Sequence, residues 1–357
     1  MKIVITTGGT GGHIFPALQM ASVLKERGHE VVFIGSFALA EEKVRAQGFE
    51  ATVIRAQGLT QRSLGGILKF TASMTKAIGQ SLKALKKARP DKVVGFGGYG
   101  SLAVVLAARL LNIPTMIHEQ NVVPGKANRL MMKMVQKVAI SFQETRNHVN
   151  SDKVVWTGCP CHQGRPMESR ENLLKKFSLD PQRKTILVLG GSQGSQKLNE
   201  VFFEMISSWE QSFPAIQAIH MTGKKEYSLY AYRYQDAAVP VKVMDFISPI
   251  EEAYVVADLV IARSGAATVS ELGFFAIPTI FIPYPLADGH QKYNAEVLSK
   301  LGLASIIEQK DLTADGLKLA LNIVLSSDFN KEAWQRKNAD FFKLSPALEL
   351  ACAVENL

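Results

Sequence analysis

The sequence has too little cysteine for a disulfide-rich protein and too few long apolar runs for a membrane-spanning one. Its 357 residues include three cysteines, which excludes a disulfide framework, and no paired CxxC units indicate a zinc site. The longest apolar stretches, such as residues 102–111, fall short of the roughly 20 residues that span a bilayer. The first residues, MKIVIT, have a strand pattern and not the layout of a signal peptide. We therefore expect a reduced cytoplasmic protein that is not exported.

Common cofactor signatures are also missing. The first glycine loop lacks the GxGxxG spacing of dinucleotide-binding proteins, and the second strand ends in Gly35 and Ser36 where those proteins have an acidic residue. The P-loop signature GxxxxGK[ST] is absent, and no DxD-type carboxylate pair follows a strand. These absences disfavour nicotinamide, flavin and ATP-hydrolysing enzymes. We expect no cofactor and no metal ion.

Positive charge is concentrated in the first part of the chain. Residues 1–150 contain 20 basic and 8 acidic side chains, a net charge of +12, whereas the remainder contains 21 and 24, a net charge of −3. A basic region of this kind suits an acidic partner, which could be nucleic acid, anionic lipid or a phosphorylated substrate. Because zinc-finger and RNA-binding signatures are absent, we do not expect nucleic acid.

Hydrophobic patterns predict an α/β fold in two similar halves. KIVIT, a glycine loop, a helix over 16–27 and EVVFIG form a first βαβ unit, and KTILVL starts a second cycle about 180 residues later. Turn residues cluster over 157–166, where we place the boundary. Further strands are predicted at 91–96, 114–118, 137–141 and 153–156 in the first half, and at 215–221, 241–243, 259–262, 279–282 and 304–307 in the second.

Four glycine-rich turns directly follow strands, namely GGTGGH (8–13), GFGGYGS (95–101), GGSQG (190–194) and SGAATVSE (264–271). At such turns unpaired backbone N–H groups and the positive end of a helix dipole converge on a spot that suits phosphate. Any single turn could use glycine only for its backbone conformation or for close packing. Four turns in matching positions favour a phosphate-containing ligand.

Together with HEQN (118–121), RSGAATVSE (263–271) and ADGHQKYNA (287–295), these turns resemble the bacterial MurG family, glycosyltransferase family 28. The resemblance runs in order through nearly the whole chain. It implies two Rossmann-like domains with parallel sheets facing a cleft, the GT-B architecture. Residues 1–160 would form the acceptor and membrane side and 161–335 the UDP-sugar domain, and 336–357 would be a C-terminal helix whose packing stays open. It also implies an inverting reaction that needs no metal.

The resemblance further implies a donor site, with a role for each matching residue. The Glu271 carboxylate would accept bonds from the ribose hydroxyls, Ile247 would offer its backbone to uracil, and Gln291 would select the sugar. Alternatively, Glu271 stabilises only its own helix and Gln291 is a solvated amide. The full donor set is Thr10, Gly11, Gly12, Asn121, His162, Ser192, Ile247, Ala266, Ala267, Thr268, Val269, Ser270, Glu271 and Gln291.

One segment departs from the family pattern. Where the family has TGNPVR, this chain reads TGCPCH, so Cys159 replaces an amide and His162 stands at the basic position that helps hold the donor phosphates. An imidazole replaces a permanently charged guanidinium there, so we expect weaker or pH-dependent donor binding. The CPCH cluster lacks the ligand spacing of a metal site.

The reaction needs a base for the attacking hydroxyl. His13 is our candidate, since a near-neutral pKa would suit it to take that proton, and Glu119 is the reserve. The alternative is that His13 only orients its loop or binds the acceptor diphosphate.

The implied activity transfers N-acetylglucosamine from UDP-N-acetylglucosamine to a lipid-linked muramoyl-pentapeptide in peptidoglycan synthesis. The alternatives are another GT-B UDP-sugar transferase, an epimerase or a non-catalytic nucleotide-sugar sensor, and cell-wall synthesis proteins are further candidate partners. We expect peripheral attachment to the cytoplasmic face of the membrane through residues 65–89. There Ile67, Met74, Ile78 and Leu85 form a mostly buried stripe opposite Lys69, Lys76, Lys83 and Lys87, with Leu64, Leu68 and Phe70 as apolar neighbours.

Overall fold

The computed structural model describes residues 1–9, 11–37, 41–56, 63–149, 151–161, 164, 166–191, 194–209, 215–285 and 289–357, without the side chains of Leu64 and Ser151. The chain forms two compact units, Met1–Cys161 with Ser345–Leu357, and His162–Leu344. Each unit contains one parallel β-sheet flanked by helices. The predicted α/β fold class is therefore confirmed.

The first unit is built on a seven-stranded sheet with strand order β3-β2-β1-β4-β5-β6-β7. Its strands are β1 (Lys2–Thr6), β2 (Glu30–Gly35), β3 (Glu50–Val53), β4 (Lys92–Gly95), β5 (Thr115–Glu119), β6 (Lys137–Ile140) and β7 (Val154–Trp156). Its first five helices are α1 (Gly11–Glu26), α2 (Glu41–Ala46), α3 (Leu64–Ala88), α4 (Gly98–Leu110) and α5 (Lys126–Met131), and short 3₁₀ turns span Gln143–His148 and Ser151–Lys153.

The alternation of side chains along β1 explains why helices cover both faces of this sheet. Ile3 and Ile5 belong to a buried cluster that includes α1 residues, while Val4 belongs to a second cluster with residues of α3 and α4. A strand buried on both faces reads as a continuous apolar run, which is the pattern of a central parallel strand. The loops after β1, β4 and β5 therefore meet at one edge of the sheet.

The second unit has a six-stranded parallel sheet with order β10-β9-β8-β11-β12-β13. Its strands are β8 (Lys184–Leu189), β9 (Ile216–Met221), β10 (Val241–Met244), β11 (Leu259–Ala262), β12 (Thr279–Phe281) and β13 (Ala304–Ile306). Its helices are α6 (Arg170–Lys176), α7 (Gln196–Ser207), α8 (Tyr227–Arg233), α9 (Ile250–Val256), α10 (Ala266–Phe275), α11 (His290–Lys300), α12 (Ala314–Leu325) and α13 (Lys331–Lys337), and 3₁₀ turns span Gln309–Asp311 and Ala339–Phe341. Within the described residues, no helix is both long and apolar enough to cross a bilayer.

The helical pattern of the sequence over 331–355 indicates one segment, which includes most of the expected C-terminal helix, whereas the structure has two helices there. Helix α13 belongs to the second unit, where Trp334 donates from its indole nitrogen to the Leu301 carbonyl at 2.9 Å. Helix α14 (Pro346–Glu355) belongs to the first unit and packs Leu350 and Val354 into the core beside α1. Proline at the start of α14 lacks an N–H and favours a new helix over continuation of the previous one.

Basic side chains of the first unit hold the end of α14. Arg27 donates from Nε and Nη2 to the two Glu355 carboxylate oxygens at 2.8 and 2.7 Å, and His29 Nε2 lies 2.7 Å from Oε1. Lys92 Nζ donates to the carbonyls of Val354 and Glu355 at 2.9 and 2.8 Å. The bonds from Arg27 and then His29 lower the pKa of Glu355 to about 2.

We predict that Glu355→Gln lowers the melting temperature near neutral pH, because the charge-assisted bonds to Arg27 and His29 are lost. The pKa of Glu355 falls from an ordinary 4.5 to about 2 on folding, so its contribution is complete above the first value and disappears as the pH drops towards the second. Calorimetry across this range should show the wild type and the variant converging on acidification. The exposed Glu42, changed to Gln, is the control and should follow the wild type. A difference that persists unchanged in acid would contradict this account.

Candidate active site

The loops after β1 and β4 bring His13 next to a glycine backbone in the first unit. Gly11 and Gly12 open α1, and His13 follows in its first turn. A Cβ built on Gly97 would lie 3.0 Å from His13 Nε2 and 3.3 Å from Asn128 Oδ1, and Gly97 has a φ of +101°. A glycine is required here for its backbone conformation and for the close approach of both polar side chains.

The environment of His13 differs from the one expected for a near-neutral base. Burial lowers the pKa of His13 to about 4, because the charged imidazolium loses its hydration. The ring is therefore neutral at physiological pH and can accept a proton. In the absence of substrate, however, it is a weaker base than an exposed histidine.

Glu119, at the end of β5, organises the loop that follows it. Its Oε1 accepts from the backbone N–H and the side-chain Nδ2 of Asn121 at 2.8 and 3.2 Å. Its Oε2 accepts from the Gly125 N–H at 3.1 Å and from Asn128 Nδ2 at 2.7 Å. Burial raises the pKa of Glu119 in spite of these bonds. Both oxygens already have donors, so the geometry favours a positioning role for Glu119 and leaves His13 as the stronger candidate for the base.

His118 connects the same strand to the segment after β7. Its Nε2 lies 3.0 Å from the Gly158 carbonyl, which can only accept, so Nε2 carries the proton. The ring packs against Phe96 with centroids 5.4 Å apart, and burial lowers its pKa to about 4. His118 is thus a neutral side chain that fixes Gly158. Asn128 is not among the residues predicted from the sequence. It donates to Glu119 and so connects α5 to the end of β5.

The start of α10 forms the main part of the second-unit site. Gly265 caps the helix, and Ala267 and Thr268 are partly exposed in its first turn. Val269 is fully buried, and Ala266 and Ser270 are largely buried. Of this run, Ala267 and Thr268 are the partly exposed residues, and their assignment to the donor site stays a prediction.

Gln291, on α11, is neither a solvated amide nor available through both of its polar atoms. Its Oε1 accepts from the backbone N–H of Ser264 at 3.2 Å and of Tyr284 at 2.9 Å, and its carbonyl accepts from Ser264 Oγ at 2.8 Å. Asn294, one turn later, donates to the Ser264 carbonyl at 3.3 Å. Helix α11 therefore holds the residue that leads into α10. Any contact from the Gln291 side chain to a sugar has to come from its amide nitrogen.

Glu271 and Ile247 are both buried. Glu271 is 7% exposed, and its Oε2 accepts a 2.7 Å hydrogen bond from the Tyr254 hydroxyl. Ile247 lies between β10 and α9. The Glu271 carboxylate therefore contacts α9 as well as lying near the start of its own helix, α10.

Arg263 lies between β11 and α10, in the motif RSGAATVSE, and is not part of the predicted donor set. Its Nη1 donates to the carbonyls of Ile282 and Pro283 at 2.9 and 3.3 Å, and its Nη2 donates to Ser195 Oγ at 2.7 Å and to Gln309. Among the residues that the structure describes, it has no carboxylate partner. Burial lowers its pKa, yet a guanidinium stays charged. Arg263 thus places a positive charge, which no carboxylate of the described residues pairs with, beside the starts of α7 and α10.

The predicted site residues fall into two groups. Gly11, Gly12, His13, Glu119 and Asn121 belong to the first unit, and Ile247, the run 266–271 and Gln291 belong to the second. Thr10, His162 and Ser192 lie outside the described residues.

Two α/β units, each with glycine turns at the carboxyl ends of parallel strands, form the architecture of the GT-B glycosyltransferases. Residues 3–140 match the glycosyltransferase family 28 N-terminal domain, and residues 185–348 match its C-terminal domain. The chain belongs to glycosyltransferase family 28, and the MurG resemblance is confirmed.

Related proteins are similar in sequence to this chain over most of its length. A protein of Thermodesulfovibrio yellowstonii is 38% identical over 91% of this chain and 90% of its own, and one of Halothermothrix orenii is 38% identical over 87% of both. Both are named UDP-N-acetylglucosamine–N-acetylmuramyl-(pentapeptide) pyrophosphoryl-undecaprenol N-acetylglucosamine transferase. The crystal structure of Acinetobacter baumannii MurG is similar with a TM-score of 0.78 and 27% identity, covering 100% of this chain and 99% of that one.

Proposed function

We propose that this chain transfers N-acetylglucosamine from UDP-N-acetylglucosamine to the 4-hydroxyl of the muramoyl sugar in a lipid-linked muramoyl-pentapeptide, with inversion at the anomeric carbon. The observation that carries the proposal is the 38% identity to a relative named for this transfer, over 91% of the chain. Support from the site comes from the polar groups at the start of α10 and from the loops around His13.

In the proposed donor site, the diphosphate lies at the start of α10. The first turn of this ten-residue helix offers unpaired N–H groups and the positive end of the helix dipole. Arg263 adds a positive charge that lacks a carboxylate partner within the described residues. Glu271 accepts hydrogen bonds from the ribose hydroxyls, and the Ile247 backbone contacts uracil. The Gln291 amide nitrogen donates to the sugar. Stabilisation of the charge that develops on departing UDP lowers the barrier to transfer.

In the proposed reaction, the acceptor oxygen bonds to the anomeric carbon while the bond to the UDP oxygen breaks. The proton of the attacking hydroxyl passes to a ring nitrogen of neutral His13. Glu119 keeps Asn121, Gly125 and Asn128 in place through its four accepted hydrogen bonds. The remaining donor assignments, Thr10, Gly11, Gly12, Asn121, His162 and Ser192, stay predictions.

A labelled-donor assay separates this function from its alternatives. Purified protein is incubated with labelled UDP-N-acetylglucosamine and a short-chain lipid-linked muramoyl-pentapeptide. The proposal requires label in a β-linked disaccharide on the lipid. An epimerised UDP-sugar without acceptor would indicate an epimerase, and binding of the donor without either product would indicate a sensor. Either result would refute the proposed function.

We predict that His13→Ala reduces turnover by roughly 10²–10⁴-fold, the loss expected for a general base, with little change in UDP binding. Because the pKa of His13 is lowered to about 4, wild-type kcat/KM should stay level through the range where a free histidine protonates and should fall only as the pH approaches that value. The exposed His148, changed to Ala, is the control. Unchanged turnover in His13→Ala would remove this residue from the mechanism.

Helix α3 supports peripheral membrane attachment. Leu68 is 71% exposed, and Ile67, which we expected in the buried stripe, is 45% exposed. The expected burial of Met74 and Leu85 is found, and Phe70 packs against Tyr99. Ile67 differs because it lies near the start of the helix, beyond the part that packs on the core. The exposed lysines of this helix are Lys69, Lys76, Lys83, Lys86 and Lys87.

We propose that these lysines and the exposed pair Ile67 and Leu68 hold the first unit on anionic lipid. A lysine near such a surface contributes about 1 kcal/mol, and the apolar pair adds a smaller insertion term. Changing Lys69, Lys76, Lys83 and Lys87 to Gln should greatly reduce cosedimentation with anionic vesicles, and salt should weaken wild-type binding. A matched variant with the exposed Lys175, Lys224, Lys225 and Lys310 changed to Gln should bind as the wild type does. Equal binding by the α3 variant would exclude this helix as the contact.

A further inference from the structure

A buried tyrosine is bonded directly to the carboxylate proposed to bind the ribose. The Tyr254 hydroxyl donates to Glu271 Oε2 at 2.7 Å, and Tyr254 is 2% exposed. Its ring packs against Phe275, one turn beyond Glu271 on α10, with centroids 5.3 Å apart. The tyrosine therefore meets α10 through both its ring and its hydroxyl. It fixes the orientation of the Glu271 side chain on the helix.

Helix α9 also lies close in sequence to Ile247, the proposed uracil contact. Tyr254 lies in α9, which begins at Ile250, three residues after Ile247. Glu252 anchors the helix to α6 through a 2.7 Å bond from Lys176. This ion pair holds the helix that carries Tyr254. The proposed uracil contact and the partner of the proposed ribose contact are thus close in sequence, just before α9 and within it.

We propose that Tyr254 is a positioning residue that makes the donor site selective for a ribose over a 2′-deoxyribose nucleotide. This inference rests on the proposed donor site, in which Glu271 accepts from the ribose hydroxyls. A carboxylate can accept several hydrogen bonds, so the Tyr254 bond occupies one direction and orients the remaining lone pairs. A site that hydrogen-bonds a hydroxyl rejects the analogue that lacks it, provided that its polar group cannot turn to another partner. Tyr254 restricts that turning. Because Tyr254 is 2% exposed, its proposed action is through Glu271.

The test compares UDP-N-acetylglucosamine with its 2′-deoxyuridine counterpart as donors. Tyr254→Phe keeps the ring and removes only the hydroxyl. We expect KM for the ribose donor to rise roughly fivefold to tenfold with kcat nearly unchanged, and KM for the deoxy donor to change little. The preference for ribose, the ratio of the two kcat/KM values, should fall by the same factor. This ratio does not depend on the fraction of folded enzyme, so reduced stability of the variant cannot imitate the effect.

Tyr234→Phe is the matched control. Tyr234 is also buried in the second unit, and its hydroxyl lies 3.0 Å from His220 Nδ1. Its loss should lower stability and leave the ribose preference intact. If Tyr254→Phe keeps the full preference, or if Tyr234→Phe loses it equally, the inference is overturned.

Glu271→Ala separates failure of this inference from failure of the donor site. Loss of the ribose preference in Glu271→Ala with an intact preference in Tyr254→Phe would overturn only the role of Tyr254. An intact preference in Glu271→Ala would overturn the proposed ribose contact, and the positioning role with it.

Discussion

The rest of the structure depends on one constraint: the polar groups of the loops at the carboxyl ends of the parallel strands need hydrogen-bond partners. Each loop there leaves backbone and side-chain polar groups that cost free energy when they are buried without partners. Gln291 and Asn294 satisfy Ser264 before α10, and Glu119 satisfies the donors of the loop after β5. The same bonds that remove the penalty fix the backbone that the proposed substrates would meet. Structural and functional demands therefore fall on the same side chains.

The pKa values of ionisable groups at these loops are shifted by burial more than by ion pairing. Loss of hydration lowers the pKa of both His13 and His118 to about 4, so neither adds a positive charge near neutral pH. Arg263 behaves differently because its guanidinium stays charged even when buried. The first unit thus provides neutral bases and carbonyl-bonded side chains, and the second provides fixed positive charge. This division matches a unit that would accept a proton and a unit that would hold a diphosphate.

Much of the fold was predictable because central strands are buried on both faces and glycine turns follow them. Strand β3 was missed, since it is an edge strand whose Glu50 and Val53 are exposed and give no apolar run. The change of unit between α13 and α14 depends on long-range packing that local patterns do not contain. Ile67 fits the helical period of the buried stripe, yet its position in the helix leaves it exposed.

The site residues were predictable as far as a family motif names them, but their hydrogen-bond partners were not. The bond from Tyr254 to Glu271 joins residues of two helices, and only the fold brings them together. Likewise, the sequence identifies Gln291 as a polar side chain and gives no sign that its oxygen is occupied by Ser264 and Tyr284. Arg263 was visible in its motif, but its role follows from burial.

The central claim is that backbone N–H groups at the start of α10, together with Arg263, stabilise the departing diphosphate. The most direct measurement is the initial rate of N-acetylglucosamine transfer to the lipid-linked acceptor. The rate in EDTA is compared with the rate after magnesium is added in excess over the EDTA. The account predicts the same rate in both conditions, because protein groups supply the positive potential. A rate that collapses in EDTA and returns with magnesium would contradict it.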